Sequence, residues 1–177
     1  TLGTDPLDPS SAMAWHPEWQ AFPRLVFGPE GLSDLRLKAI DPGARGGAML
    51  ARVQARADAV AAPPKPESYD PYHEAARARI ASAAAFIALL FEDEVYAHKA
   101  AEIALGINPN INEVGFASPF FTKTSIHAGE AIAYYAKMYD WLRASNLLDD
   151  ETLGEVRGAV VELVKRFEEE ATSGPMA

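Results

Sequence analysis

Apolar side chains recur every three or four residues through most of the second half of the chain, the spacing that gathers them on one side of an α-helix. In AMLARVQARADAVAA, Met49, Leu50, Val53, Ala57 and Val60 keep that period until PPKP at 63–66 stops it. PYHEAARARIASAAAFIALLF opens with Pro71 at a helix start and keeps Ala76, Ile80, Ala83, Ile87 and Leu90 on one stripe. Its many alanines let neighbouring helices come close. EDEVYAHKAAEIALGI follows after a break of two or three residues, with Glu92, Asp93 and Glu94 in its first turn and Val95, Ala100, Ile103 and Ala104 pointing inward. Helices joined so tightly must run antiparallel. A further helix, capped by Thr122 or Thr124, runs to about Ser145. The last is capped by Asp149 or Asp150, carries Glu151 and Thr152 in its first turn, and buries Val156, Val160, Leu163, Val164 and Phe167.

Elsewhere the period breaks. Residues 1–20 hold Pro6, Pro9 and Pro17 among small polar residues, which reads as an extended arm anchored by Trp15 and Trp19. FPRLVFGPEGLSDLRLKAI gives a strand-like lead, a Gly-Pro break and a helix with Pro29 and Glu30 in its first turn. GINPNINEVGFASPFF, residues 106–121, has no helical period and reads as a structured loop. No alternating segment is long enough for a sheet, and neither a nucleotide-type glycine pattern nor an exact repeat occurs. The pattern therefore predicts an all-α domain of antiparallel helical hairpins over residues 21–177, preceded by the arm.

Composition narrows the class. A chain of 177 residues fits one domain with a sizeable core. Its 49% hydrophobic content includes no uncharged apolar run of the roughly 20 residues a membrane span needs, so no membrane partner is expected. A formal net charge of −9 argues against nucleic acid, whose binders need a basic surface to displace counterions. The densest cations, in RVQARADAV from 52 and in HEAARARI from 73, read as solvated helix faces. Zero cysteines exclude disulfides and thiolate metal sites. No signal pattern opens the chain, which fits a cytoplasmic protein or a mature exported one.

Three segments carry a resemblance. FPRLVFGPEGLSDLRLKA resembles the opening of the N-terminal domain in the heparinase II/III-like and alginate lyase superfamily. LLFEDEVYAHKAAEIAL and IHAGEAIAYYAKMYDWLRASNLLDDETLGEVRGAV resemble two later segments of it, in the same order and at compatible spacing. Phe22 stands where that opening has His, and Phe91-Glu92 replaces a Thr-Gly. The resemblance implies an incomplete (α/α) toroid and cleavage of uronic-acid polysaccharides by β-elimination, alginate slightly ahead of heparin-like chains. It implies no cofactor, an acidic polysaccharide or oligosaccharide as partner, and a periplasmic or secreted location. The family's Asn, His and Tyr catalytic groups follow the YDWL helix pair, so no catalytic residue is assigned here. They are expected on the rest of the lyase chain, of which these residues would be the front portion.

The candidate binding set is His127, Glu130, Lys123, Asn112 and Tyr134. His127 and Glu130, three apart, share a helix face. They either orient the first turn or line a sugar-binding groove. Two such residues with no third at motif spacing do not make a metal site, and none is expected. Tyr134, Tyr135 and Tyr139 fall on different faces, so one or two belong to the core. Asn108, Asn110, Asn112 and Glu113 serve as turn residues or as a carbohydrate surface, and Lys123 beside them suits a uronate carboxylate. Asp140 and Trp141 read as packing and orienting residues, and His16, His73 and His98 as surface or packing. Two other classes stay open: a non-catalytic glycan-binding or scaffold α/α domain, and a helical protein-interaction module.

Overall fold

A computed structural model of the chain describes residues 29–41, 45–64, 71–108 and 121–173. These form six helices, with no strand among the described residues: α1 (Pro29–Ile40), α2 (Arg45–Asp58), α3 (Pro71–Phe91), α4 (Glu94–Leu105), α5 (Phe121–Ser145) and α6 (Asp150–Ser173). The all-α expectation holds. The arm at 1–20, the strand-like lead and the loop over 109–120 lie outside the described residues. Among the described residues no helix is long and apolar enough to cross a membrane.

The centre of the molecule is α3. It packs most extensively on α5, then on α4 and α2. Ala75, Ala78, Ala81, Ala84, Ala85 and Ala88 are all buried, so α3 is covered on nearly every side. Small side chains make this possible, because they let helix backbones approach closely on several faces at once. The rings of Tyr72 and His127 sit 4.0 Å apart at the start of α3 and α5. About four turns further along both helices, Phe86 and Trp141 sit 4.9 Å apart. Two contacts in the same register mean that α3 and α5 run side by side in the same direction. On the other flank α4 returns along α3, since Arg77 near the start of α3 reaches the Ile103 carbonyl near the end of α4 at 2.8 Å.

Caps fix the two short connections. Glu92 takes a left-handed conformation (φ 57°) after α3, and the Asp93 carboxylate then accepts from the Val95 and Tyr96 amides at 2.9 and 3.4 Å. Asn146 (φ 55°) ends α5 in the same way, and Asp149 accepts from the Thr152 amide at 2.7 Å. Asp149 was one of the two expected caps, whereas Asp93, expected within the first turn of α4, stands just before it as the cap. Where α1 meets α2, a Cβ added to Gly46 would lie 2.4 Å from the Lys38 carbonyl oxygen, so only glycine fits that crossing.

Several sequence expectations shift. Glu92 belongs to the turn, outside the first turn of α4. Because α5 already begins at Phe121, Thr122 and Thr124 lie inside the helix and neither caps it. Val60 falls beyond the end of α2 and is exposed, as are Met49, Ala76 and Val95. In α2 the residues that reach the core are Leu50, Val53 and Ala57, leaving Met49 on the next face. In α6 the expected stripe is buried at Val156, Val160 and Leu163 and half-buried at Val164 and Phe167.

Candidate functional site

The parallel run of α3 and α5 brings their first halves together. Arg79, two turns into α3, donates to Glu130 Oε1 through Nε at 3.0 Å and Nη2 at 2.5 Å. The other carboxylate oxygen of Glu130 faces His127 Nδ1 at 3.3 Å, and the exposed Tyr72 ring leans on the imidazole. Hydrogen bonding from Arg79, reinforced by His127, holds the Glu130 carboxyl below the usual glutamate range. The same contact raises the Arg79 guanidinium. His127 and Glu130 are thus brought together as their spacing implied, and both remain partly exposed.

One turn further along α5, Tyr134 carries Lys137 Nζ 5.0 Å above its ring and lines a cavity of about 470 Å³. Four helices contribute to that cavity: α1 through Leu35, α2 through Arg52 and Arg56, α3 through Arg79 and Phe86, and α5 through Tyr134 and Trp141. A second hollow of about 570 Å³ continues along the α2–α3 side and is walled by the same three arginines. Aromatic rings therefore line one part of the cleft, and guanidinium groups line the part shared by both hollows.

The arginines differ in their electrostatics. Glu130 offsets the charge of Arg79. Arg52 and Arg56, exposed and one helical turn apart on α2, have no carboxylate partner among the described residues. Like charges at this spacing repel mildly, and an anion between them relieves it. The cleft is a locally cationic place on a chain of net charge −9. Among the described residues no group of three or more His, Cys, Asp or Glu side chains could hold a metal ion.

Behind this cleft lies a second polar cluster. The Tyr135 hydroxyl donates to Glu74 Oε1, whose distance from Arg77 Nε is 3.6 Å. Arg77 also donates to the Ala62 carbonyl at 2.5 Å and the Ile103 carbonyl at 2.8 Å, tying the segment just after α2 and the end of α4 to α3. Burial raises the Glu74 carboxyl above its ordinary value, and burial together with the neighbouring Glu74 pushes the Tyr135 hydroxyl well up. HEAARARI is therefore no solvated face. Glu74 and Arg77 are buried in it, and Arg79 lines the cavity.

Of the other expected site residues, Lys123 falls in the first turn of α5 with its side chain outside the described part, and Asn112 lies outside the described residues with Asn110 and Glu113. Asn108 is buried just past α4. Asp140 is buried, and Trp141 packs on Phe86 as a packing residue should. Sequence reasoning missed Tyr72, Arg52, Arg56 and Arg79 as a group. The available signal was that Arg52 and Arg56 border the Leu50–Val53–Ala57 stripe of α2, where long cationic side chains reach over a helix–helix groove. No family model, no curated protein and no solved structure matches this chain.

Proposed function

We propose that the chain is the helical part of a polysaccharide lyase that cleaves uronic-acid-containing glycans by β-elimination, alginate ahead of heparin-like chains. In this reading α3–α4 and α5–α6 are consecutive antiparallel hairpins of an incomplete (α/α) toroid. The parallel helices α3 and α5 form its inner layer, and α4 and α6, which touch each other, form its outer layer. Such a glycan is extracellular, which places the protein in the periplasm or outside the cell.

The observation that carries the reading is the cleft between α2, α3 and α5. Sugar rings pack their C–H faces on aromatic side chains, and uronate carboxylates take guanidinium partners, which Arg52 and Arg56 offer beside Phe86 and Tyr134. β-Elimination needs the carboxylate neutralised so that the C5 proton becomes acidic, a base for that proton and an acid for the leaving oxygen. His127 and Glu130 supply positioning: Glu130 is engaged by Arg79 and His127 together, and its lowered value makes it a poor proton acceptor.

The same engagement of Glu130 favours a second reading, a glycan-binding or scaffold α/α domain without elimination chemistry. Incubating the protein as its gene encodes it with alginate, heparan and glucuronan, and following the absorbance of the unsaturated uronate product, separates the two. Product from alginate is expected. Binding with no product on any substrate moves the assignment to the second reading.

A further inference from the structure

The sequence treats Arg52 and Arg56 as ordinary surface charges, yet their setting on the folded chain is unusual. They stand one turn apart on α2, each lines both hollows of the cleft, and neither has a carboxylate within ion-pair distance among the described residues. Arg157 on α6 also has no carboxylate partner among the described residues, but it lines neither hollow, and the other exposed or half-exposed arginines with described side chains are paired. Arg36 pairs with Glu92, Arg79 with Glu130, Arg143 with Asp150, and Arg166 with Glu162 and Glu169. What marks Arg52 and Arg56 out is that they are neighbours on one helix face, both line the cleft, and neither meets an acid among the described residues.

We infer that Arg52 and Arg56 form a carboxylate clamp that holds a uronate unit across the mouth of the cavity lined by Phe86 and Tyr134. This deepens the reading above and rests on it for the choice of ligand. Side chains at i and i+4 lie on one face about 5–6 Å apart, close enough for both guanidiniums to reach one carboxylate or two successive ones. Arginine suits the task because its planar fork meets a carboxylate through two parallel hydrogen bonds. Arg79 does not compete for the ligand, since Glu130 holds it, but its side chain gives the two hollows a common wall. The cavity, about 470 Å³, falls within the range of about 300–1,000 Å³ usual for small-ligand sites. An acidic chain elsewhere on the surface would meet net negative charge, so the clamp also selects where a polyanion lands.

The test uses the protein as its gene encodes it and two probes: an alginate tetrasaccharide, and the same tetrasaccharide with its carboxyls reduced to alcohols. Calorimetry is expected to show binding of the acid form that weakens with salt, and weak or no binding of the reduced form. The double variant R52Q/R56Q should lose roughly tenfold or more in affinity for the acid form, since two charge-assisted contacts go. R52K/R56K, which keeps the charge and loses the fork, should recover only part of it. Both positions are exposed, so helicity and Tm should be unchanged. A control pair, R157Q/K165Q on α6, removes the same charge and should bind as the parent does.

Three results overturn the clamp: equal binding of the two tetrasaccharides, undiminished binding by R52Q/R56Q, or an equal loss in the α6 control. If alginate is cleaved while R52Q/R56Q keeps its affinity, the clamp falls and the lyase reading stands. Arginine-dependent binding of the acid form without any cleavage keeps the clamp and removes the lyase reading.

Discussion

Two clusters built from the same three residue types sit back to back on the α3–α5 pair. Arg77, Glu74 and Tyr135 form one, and Arg79, Glu130 and Tyr134 border the other. Their arginines are two residues apart and their tyrosines adjacent, yet the Arg77–Glu74 side chains are 4% exposed each and the Arg79–Glu130 side chains 40% and 25%. Burial alone separates a strut from a site. In the interior an unmatched polar atom costs free energy, and Arg77 donates to two carbonyls while its Nε faces the Glu74 carboxylate as an ion pair without a hydrogen bond. At the cleft, water screens the same groups and leaves them able to exchange partners.

The sharpest way to break this contrast is to cut each arginine back to methionine. Arg77→Met strands a buried carboxylate and two carbonyls, and should cost about 3–5 kcal/mol in denaturant unfolding, the penalty typical of halving a buried ion pair. Arg79→Met should cost about 1 kcal/mol or less, because solvent takes over its share of Glu130. A similar cost at both positions would mean that the cleft cluster is also a strut.

Gly106 probes the strut from its far end. A Cβ placed there would lie 2.7 Å from Arg77 Nη2, so Gly106→Ala must push the guanidinium off the Ile103 carbonyl. We expect a loss of about 1–3 kcal/mol, as for overpacking elsewhere, read as a Tm drop on heating. If R77M is already present, the added methyl should cost much less, since the group it displaces is gone.

The adjacent tyrosines make a gentler pair. Tyr135→Phe removes the hydroxyl that donates to buried Glu74 and should cost about 1–3 kcal/mol. Tyr134→Phe, at the cavity wall, should change stability by no more than about 0.5 kcal/mol. Equal costs would show that Tyr134 is held as firmly as its neighbour.

How much of this was legible follows from where the information resides. The helices were legible because period, prolines and capping aspartates are local, and Asp149 caps as its position implies. The ends drifted by a few residues where no cap marked them, as at Phe121 and Asp58. The role of HEAARARI was not legible. α3 is alanine-rich all round, so its Ala76–Leu90 stripe does not tell which faces are covered, and Ala76 itself is exposed. Only the packing of α2, α4 and α5 around it decides that Arg77 goes inward and Arg79 to the cleft. The cavity has the same origin, since it is a gap left between four helices and no single segment encodes it. The His127–Glu130 pair was legible because three residues along a helix fix a distance, whereas its third member, Arg79, comes from another helix.

Acid titration gives the smallest effect and the one that reads both clusters at once. Glu130 is held below the ordinary glutamate value of 4.5 by Arg79 and His127, so its contribution is complete above that value and is lost as pH falls through its lower folded value. Glu74 lies above 4.5 because burial opposes its charge; its contribution is complete below 4.5 and is lost as pH rises to its higher folded value. The two glutamine variants should therefore drift in opposite directions. Relative to the parent, Glu130→Gln should be least stable near neutrality and recover on acidification, as the parent's own carboxylate is protonated. Glu74→Gln should gain on the parent as pH rises above 4.5, since an amide has no charge to bury. Denaturant midpoints of the three proteins across the acid range test this. Parallel curves would mean that burial does not set the two glutamates apart.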